Sequence, residues 1–141
     1  MAILNYTTSI ASEKSIAEIQ KCLVKHGAHK IVTDYKDGAP CAVTFCLTLN
    51  ENMIGFALPA NYTGVLNAMR KDRKIPRSKC TEEQAQKVAW RIIKDWVEAQ
   101  MAIVEAQLAD ITEVFLPYAI TKSGNTLYKE IQSNGMLMLH S

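Results

Sequence analysis

The chain has no long apolar run, no cysteine framework and no catalytic signature, and each absence removes a class of protein. Its longest apolar stretch, around "AVTFCLTL" (Ala42 to Leu49), is far shorter than the ~20 residues of a membrane-spanning helix, so no membrane partner is expected. "MAILNYTT" lacks the charged start and sustained apolar stretch of a secretory leader. Four cysteines, at positions 22, 41, 46 and 80 of 141 residues, do not make a small secreted scaffold. Free thiols in a reducing cytoplasm are the simpler expectation.

Metal-ligand spacings are missing as well. Neither C-x-x-C nor H-E-x-x-H occurs, Cys41 and Cys46 would point to opposite faces of a strand, and His26 and His29 straddle a helix end. No metal or other cofactor is expected. There is no G-x-S-x-G, no glycine-rich phosphate loop and no nucleophile beside a base. Glu98 and Glu105 share a helix face but lack the E-x-x-H partners of a di-iron bundle. Asp95 follows Arg91 by four residues and Glu98 follows Lys94 by four, so helical ion pairing accounts for both carboxylates. The expectation is a protein that is not an enzyme.

What is present begins with 48% apolar and 21% charged residues, an ordinary globular composition. "NYTTSI" reads as a short leading strand or extended arm. "SEKSIAEIQKCLVKHGA" reads as an amphipathic helix, with Ser12 as N-cap, Ile16, Ile19, Leu23 and Val24 or His26 near one face, and Gly27 as the stop. "HKIVTDY" and "VTFCLTL" read as strands around the turn "KDGAP", and Val43, Phe45, Leu47 and Leu49 alternate onto one face. After Asn50-Glu51-Asn52 a third strand, "MIGFALP", continues the buried face with Ile54, Phe56 and Leu58. "NYTGVLNAMRKD" is a second helix capped by Asn61, with Val65, Leu66 and Met69 inward.

Thr81-Glu82-Glu83-Gln84 is a capping-box pattern, and neither Gly nor Pro interrupts the chain from there to about Asp110. That predicts one helix of about 43 Å. It carries two apolar stripes. One is Ala85, Ala89, Ile92, Trp96, Ala99, Ile103 and Ala106; the other is Trp90, Ile93, Val97, Met101, Val104 and Leu108. Two stripes exceed what one docking face needs, so the second is expected to pack on another copy in a homo-oligomer. "EVFLPY" follows as a buried or extended connector ending at Pro117. "SGNTLYKEIQSNG" predicts a last short helix capped at Asn125 or Thr126 and closed by Gly135, and the apolar tail "MLMLHS" is expected to pack on a neighbour.

The fold class is therefore α+β: a small antiparallel sheet of three to four strands packed by helices, then one long helix and a short C-terminal helix. Residues 1–80 form the sheet part with a basic connector and residues 81–141 the helical part, folding as one cooperative unit.

Charge is concentrated in "MRKDRKIPRSK". Arg70, Lys71, Arg73, Lys74, Arg77 and Lys79 against Asp72 give this segment +5, while the chain carries +2 and the remainder −3. Six cations beside a helix start could hold phosphates by charge and by unpaired backbone N–H groups, with Tyr62 or Tyr35 stacking bases. A solvated connector is the plain alternative. The expected partner is nucleic acid or a host nucleoprotein complex.

The order helix, three strands, helix over Ser12 to Asp72 is that of the double-stranded RNA-binding domain. That resemblance stops at topology, because "PANYTGVLNAM" is uncharged where such domains place lysines. The motifs "NYTTSI", "HGAHKIVTDY", "FALPAN", "VAWRIIKDWVEAQMA", "EVFLPY" and "NTLYKEI" cover most of the chain, which through them resembles a group of small bacteriophage and prophage accessory proteins. The resemblance carries over no site residue. It implies an accessory role in the host cytoplasm: nucleic-acid handling in phage replication or recombination, as by a single-stranded DNA-binding protein; anti-CRISPR-like inhibition of a defence nuclease; or an oligomeric sponge for a nucleotide defence signal.

Overall fold

The computed structural model describes residues 2–134; the expectations for Gly135 and the "MLMLHS" tail lie outside them. It is α+β, with a three-stranded antiparallel sheet in the order β1-β2-β3 (β1 Lys30–Lys36, β2 Ala39–Leu49, β3 Asn52–Pro59). Helices α1 (Ser12–Lys25), α2 (Tyr62–Lys71) and α3 (Glu82–Glu105) precede and follow the strands, and α4 (Ile111–Phe115) and α5 (Leu127–Asn134) come last among the described residues. Among the described residues no helix is long and apolar enough to cross a membrane.

Local chemistry sets most boundaries. Helix α1 ends where Gly27 takes φ +103°. The N–H of Gly27 bonds Val24 O and that of Ala28 bonds Leu23 O, which satisfies two orphan carbonyls in a Schellman turn. Its start differs from expectation. Ala11 is the N-cap, without a side-chain bond, and Ser12 is the first helical residue and buried. The β1–β2 turn has Asp37 and Gly38 at φ +53° and +80°, the β2–β3 turn Asn50 and Glu51 at +50° and +70°, both matched to the twist of a tight hairpin. Pro40 sits in the central strand, where a missing N–H would normally be disruptive. The register shift between Asp34 and Tyr35 absorbs it. The "NYTTSI" arm forms turns and irregular chain rather than a strand.

The main core lies on one face of the sheet. Phe45 stacks on Phe56 with ring centres 5.3 Å apart, and Phe115 meets Phe45 edge-on at 5.4 Å, so α4 closes the core from the far end of the chain. Trp90 inserts from α3 and its Nε1 donates to Pro40 O at 3.3 Å. A second cluster of Leu66, Met69, Ile75, Ala85 and Val88 joins α2, the following connector and the start of α3.

Helix α3 is the central rod of the fold, packed on α1 and on α2. From Gln84 to Val97 none of its residues is exposed. This corrects the expected oligomer seam: Trp90, Val97 and Met101 are buried in the chain's own core, Ile93 packs against it, and Val104 is half-buried. The second stripe is used internally, because the helix is enclosed on both sides by its own chain. The helix is also shorter than expected. Gln107 adopts φ +60° and Leu108 N–H bonds Ile103 O, a second Schellman turn made without glycine. Leu108, 78% exposed, lies beyond the helix. "EVFLPY" is helical rather than extended: Asp110 and Glu113 form a capping box, and a 3-10 turn at Leu116–Tyr118 follows α4. Ile120 N–H then bonds Gly55 O at 2.8 Å, laying the C-terminal stretch along the β3 edge.

Candidate nucleic-acid interface

The six cations lie on the connector between α2 and α3. Arg70 and Lys71 occupy the last turn of α2, where positive charge complements the carbonyl end of the helix. Asp72, the only acid in the segment, is turned inward on the backbone, its Oδ1 accepting from Lys74 N at 2.9 Å. Ile75 is 4% exposed and packs among Leu66, Met69, Ala85 and Val88. Pro76 follows, and Arg77–Lys79 form a 3-10 turn closed by Lys79 N to Pro76 O at 3.0 Å and Cys80 N to Arg77 O at 3.1 Å. The connector is thus a pinned strap: one apolar side chain holds it down and two short turns shape it.

All six cations are exposed, and among the described residues none is paired with a carboxylate. The contrast with the long helix α3 is direct. Lys87 pairs with Glu83, and Arg91 Nη1 lies 2.9 Å from Glu18. Lys94 pairs with Glu98 and approaches Glu18 and Asp95. On α3 all three cations are paired, whereas those of the connector face solvent, as do Lys14, Lys21 and Lys25 of α1; what sets the connector apart is six such cations within ten residues.

Two expected contributors are not there. The N-terminus of α3 is already occupied: Thr81 Oγ1 accepts from Gln84 N at 3.1 Å, and Glu82 and Glu83 fill the first turn with negative charge. Backbone N–H groups are therefore not an anion cradle here, and any phosphate contact rests on side-chain cations. Tyr62 packs between the two core clusters at the opposite end of α2, about 13 Å along the helix from Lys71. Tyr35 is exposed on β1. A shallow depression of about 370 Å³, walled by Ile3 of the N-terminal arm, Ala68, Lys71, Asp72 and Lys74, accompanies the cations.

The sequence does not announce a second charged site, a groove of about 490 Å³ between α1 and α3. Arg91 does not pair with Asp95, as its spacing suggested; it reaches Glu18 and donates to Ser15 Oγ at 3.3 Å. Asp95 instead accepts from Asn5 Nδ2 at 2.8 Å, tying down the N-terminal arm. Glu18 Oε2 is screened from solvent and held by proximity to Arg91 and Lys94 rather than by an aligned hydrogen bond. Hydrogen bonding to Glu98 raises the Lys94 ammonium above its ordinary range, against partial burial. His26 bridges Cys22 O at 2.8 Å and Glu105 Oε1 at 2.7 Å. Burial, then the Glu98 carboxylate, push the Cys22 thiol up, so it stays protonated and a weak nucleophile. Opposite charges satisfy one another in this groove, which clamps two helices. Among the described residues no three metal-ligating side chains converge.

No family model, no curated protein and no solved structure matches this chain, so its function has to be read from its own residues.

Proposed function

We propose that the chain is a non-catalytic nucleic-acid-binding protein that holds the phosphate backbone through Arg70, Lys71, Arg73, Lys74, Arg77 and Lys79. One observation supports this above the others: the six cations are exposed and unneutralised on a connector that Ile75 fixes to the core. A merely solvated linker needs no buried anchor. With Tyr6 and Tyr62 engaged in packing against the apolar clusters, and with the α3 N-terminus already capped, the recognition proposed is by charge along the backbone and not by base identity. The proposed setting is a phage-type accessory role, including interference with a guide-loaded defence nuclease, and its support is the sequence resemblance alone.

A salt titration tests the binding. Six phosphate contacts give log Kobs against log[salt] a slope of about −5.4 on duplex and about −4.2 on a single strand. Affinity then falls by about 10³ between 50 and 200 mM salt. Replacing the six by alanine flattens the slope with the fold unchanged by circular dichroism. A slope near zero for the natural chain, or equal slopes for both proteins on DNA, RNA and a guide-loaded nuclease, refutes the proposal.

A further inference from the structure

Among the described residues the sheet has one open edge. β3 is bridged by the stretch at Ala119, and β2 is central, but among the described residues β1 pairs with β2 alone. Along β1, Lys30, Val32 and Asp34 are exposed and Val32 is 47% accessible. The three share the face of the sheet that points away from the core, since they oppose Cys46, Thr44 and Ala42 of β2. The run Lys30–Asp34 is regular; the register irregularity comes only after it, between Asp34 and Tyr35. An unpaired edge of this kind is a template for another strand.

We infer that this edge is where two copies of the chain join, β1 to β1 antiparallel, making a continuous six-stranded sheet. The register follows from geometry and charge. If both copies keep their helices on the same side, facing residues must have side chains on the same face, so the two-fold axis falls on a residue and not between two. An axis at Thr33 sets Lys30 against Lys36, and one at Ile31 sets Lys30 against Val32. An axis at Val32 sets Lys30 of each copy against Asp34 of the other and Val32 against Val32. Opposite charges meet twice, an exposed apolar side chain is covered, and no like charges are opposed.

The helix beside this edge is compatible with the same pairing. α1 packs on β2, and Gln20 donates to Thr33 Oγ1 at 3.2 Å, which turns the Gln20 face of α1 toward β1. Ala17 and Val24, three and four residues away, lie on that face. Both are exposed, Val24 by 59%. In the paired arrangement the two α1 helices run antiparallel across the axis, with these sides turned toward each other. Self-association thus uses the sheet edge, the seam on α3 being inside the core. The pairing is independent of nucleic-acid binding, and it doubles the number of basic connectors on one particle.

Light scattering and sedimentation equilibrium, without nucleic acid, test it. The natural chain is expected to be a dimer, and Lys30→Asp or Asp34→Lys each raises the dissociation constant by about tenfold or more, because two attractive pairs become repulsive. Circular dichroism checks that both variants fold. The double variant K30D/D34K restores the natural constant. An equimolar mixture of the two single variants forms a heterodimer, since one edge then carries two acids and the facing edge two lysines. A natural chain that is monomeric up to about 0.1 mM, where a micromolar dimer would be saturated, overturns the inference. So do single variants that dimerise as the natural chain does, or folded variants that neither the double exchange nor mixing restores.

Discussion

Replacing Ile75 by alanine separates charge from its presentation. Ile75 is the one buried side chain between Asp72 and Lys79, seated among Leu66, Met69, Ala85 and Val88. Truncating a side chain so enclosed costs about 2–5 kcal/mol; taking about 3 kcal/mol suits a site whose α2–α3 walls can partly close. Unfolding 141 residues at about 2.1 cal/mol/K per residue releases about 0.3 kcal/mol/K, so Tm falls by about 10 °C. A domain with about 5–15 kcal/mol of stability remains folded. The charge count is untouched, so the salt slope stays as in the natural chain. The affinity at any one salt drops, because the freed strap must be re-ordered on the nucleic acid at about 1–2 kcal/mol for each residue fixed. Thermal melts and fluorescence-anisotropy titrations at several salt concentrations measure both. A Tm change under about 1 °C would show that Ile75 is no anchor. A lowered Tm with full affinity would show that the cations act as a loose charge cloud.

Three further perturbations have directions set by single contacts. Gln84→Ala removes the Nε2 bonds to Tyr6 O and Thr8 O, both 2.9 Å; a loss of about 1–3 kcal/mol and faster proteolysis within residues 2–10 are expected, and unchanged cleavage would contradict the tether. Gln107→Gly relieves a left-handed residue at φ +60° and raises stability by about 1 kcal/mol, read as a higher denaturation midpoint; a lower one contradicts the strain. Lys94, raised through Glu98, contributes stability that is present below the unfolded lysine pKa and lost as pH rises through its raised value. Lys94→Gln should therefore flatten the alkaline limb of a stability–pH curve; an unaltered limb would refute the assignment.

Boundaries with their own chemistry were legible: Gly27, Asp37-Gly38, Asn61 and Thr81 each act through a local turn or cap. The alternation of Val43, Phe45 and Leu47 likewise named the buried face. What failed depended on distant partners. Arg91 and Asp95 have the spacing of a pair, yet Glu18 and Asn5 arrive from elsewhere in the chain and take one each. Gln84 stands where a capping box would turn it back on Thr81, and the N-terminal arm recruits it instead. The end of α3 was hidden because Gln107, not glycine, makes the left-handed turn. Even so, the D-x-x-E pattern at Asp110 to Glu113 was a readable restart.

The misread seam on α3 bears on function. A helix with two apolar stripes is either an oligomer's spine or the centre of its own domain, and the stripes alone pointed to the first. Here the rod is enclosed by α1 on one side and α2 on the other, so the connector joining α2 to α3 has both of its anchors in one rigid unit. A two-turn strap between helices that cannot separate has few ways to move, and Ile75 removes most of those left. Cations grouped by sequence thereby become cations grouped in space. Lengthening the strap with two glycines after Lys74 would leave every charge and both helices in place, and on this reasoning would weaken nucleic-acid binding as Ile75→Ala does; equal affinity would mean that spacing along the chain, not the fold, is all that the partner senses.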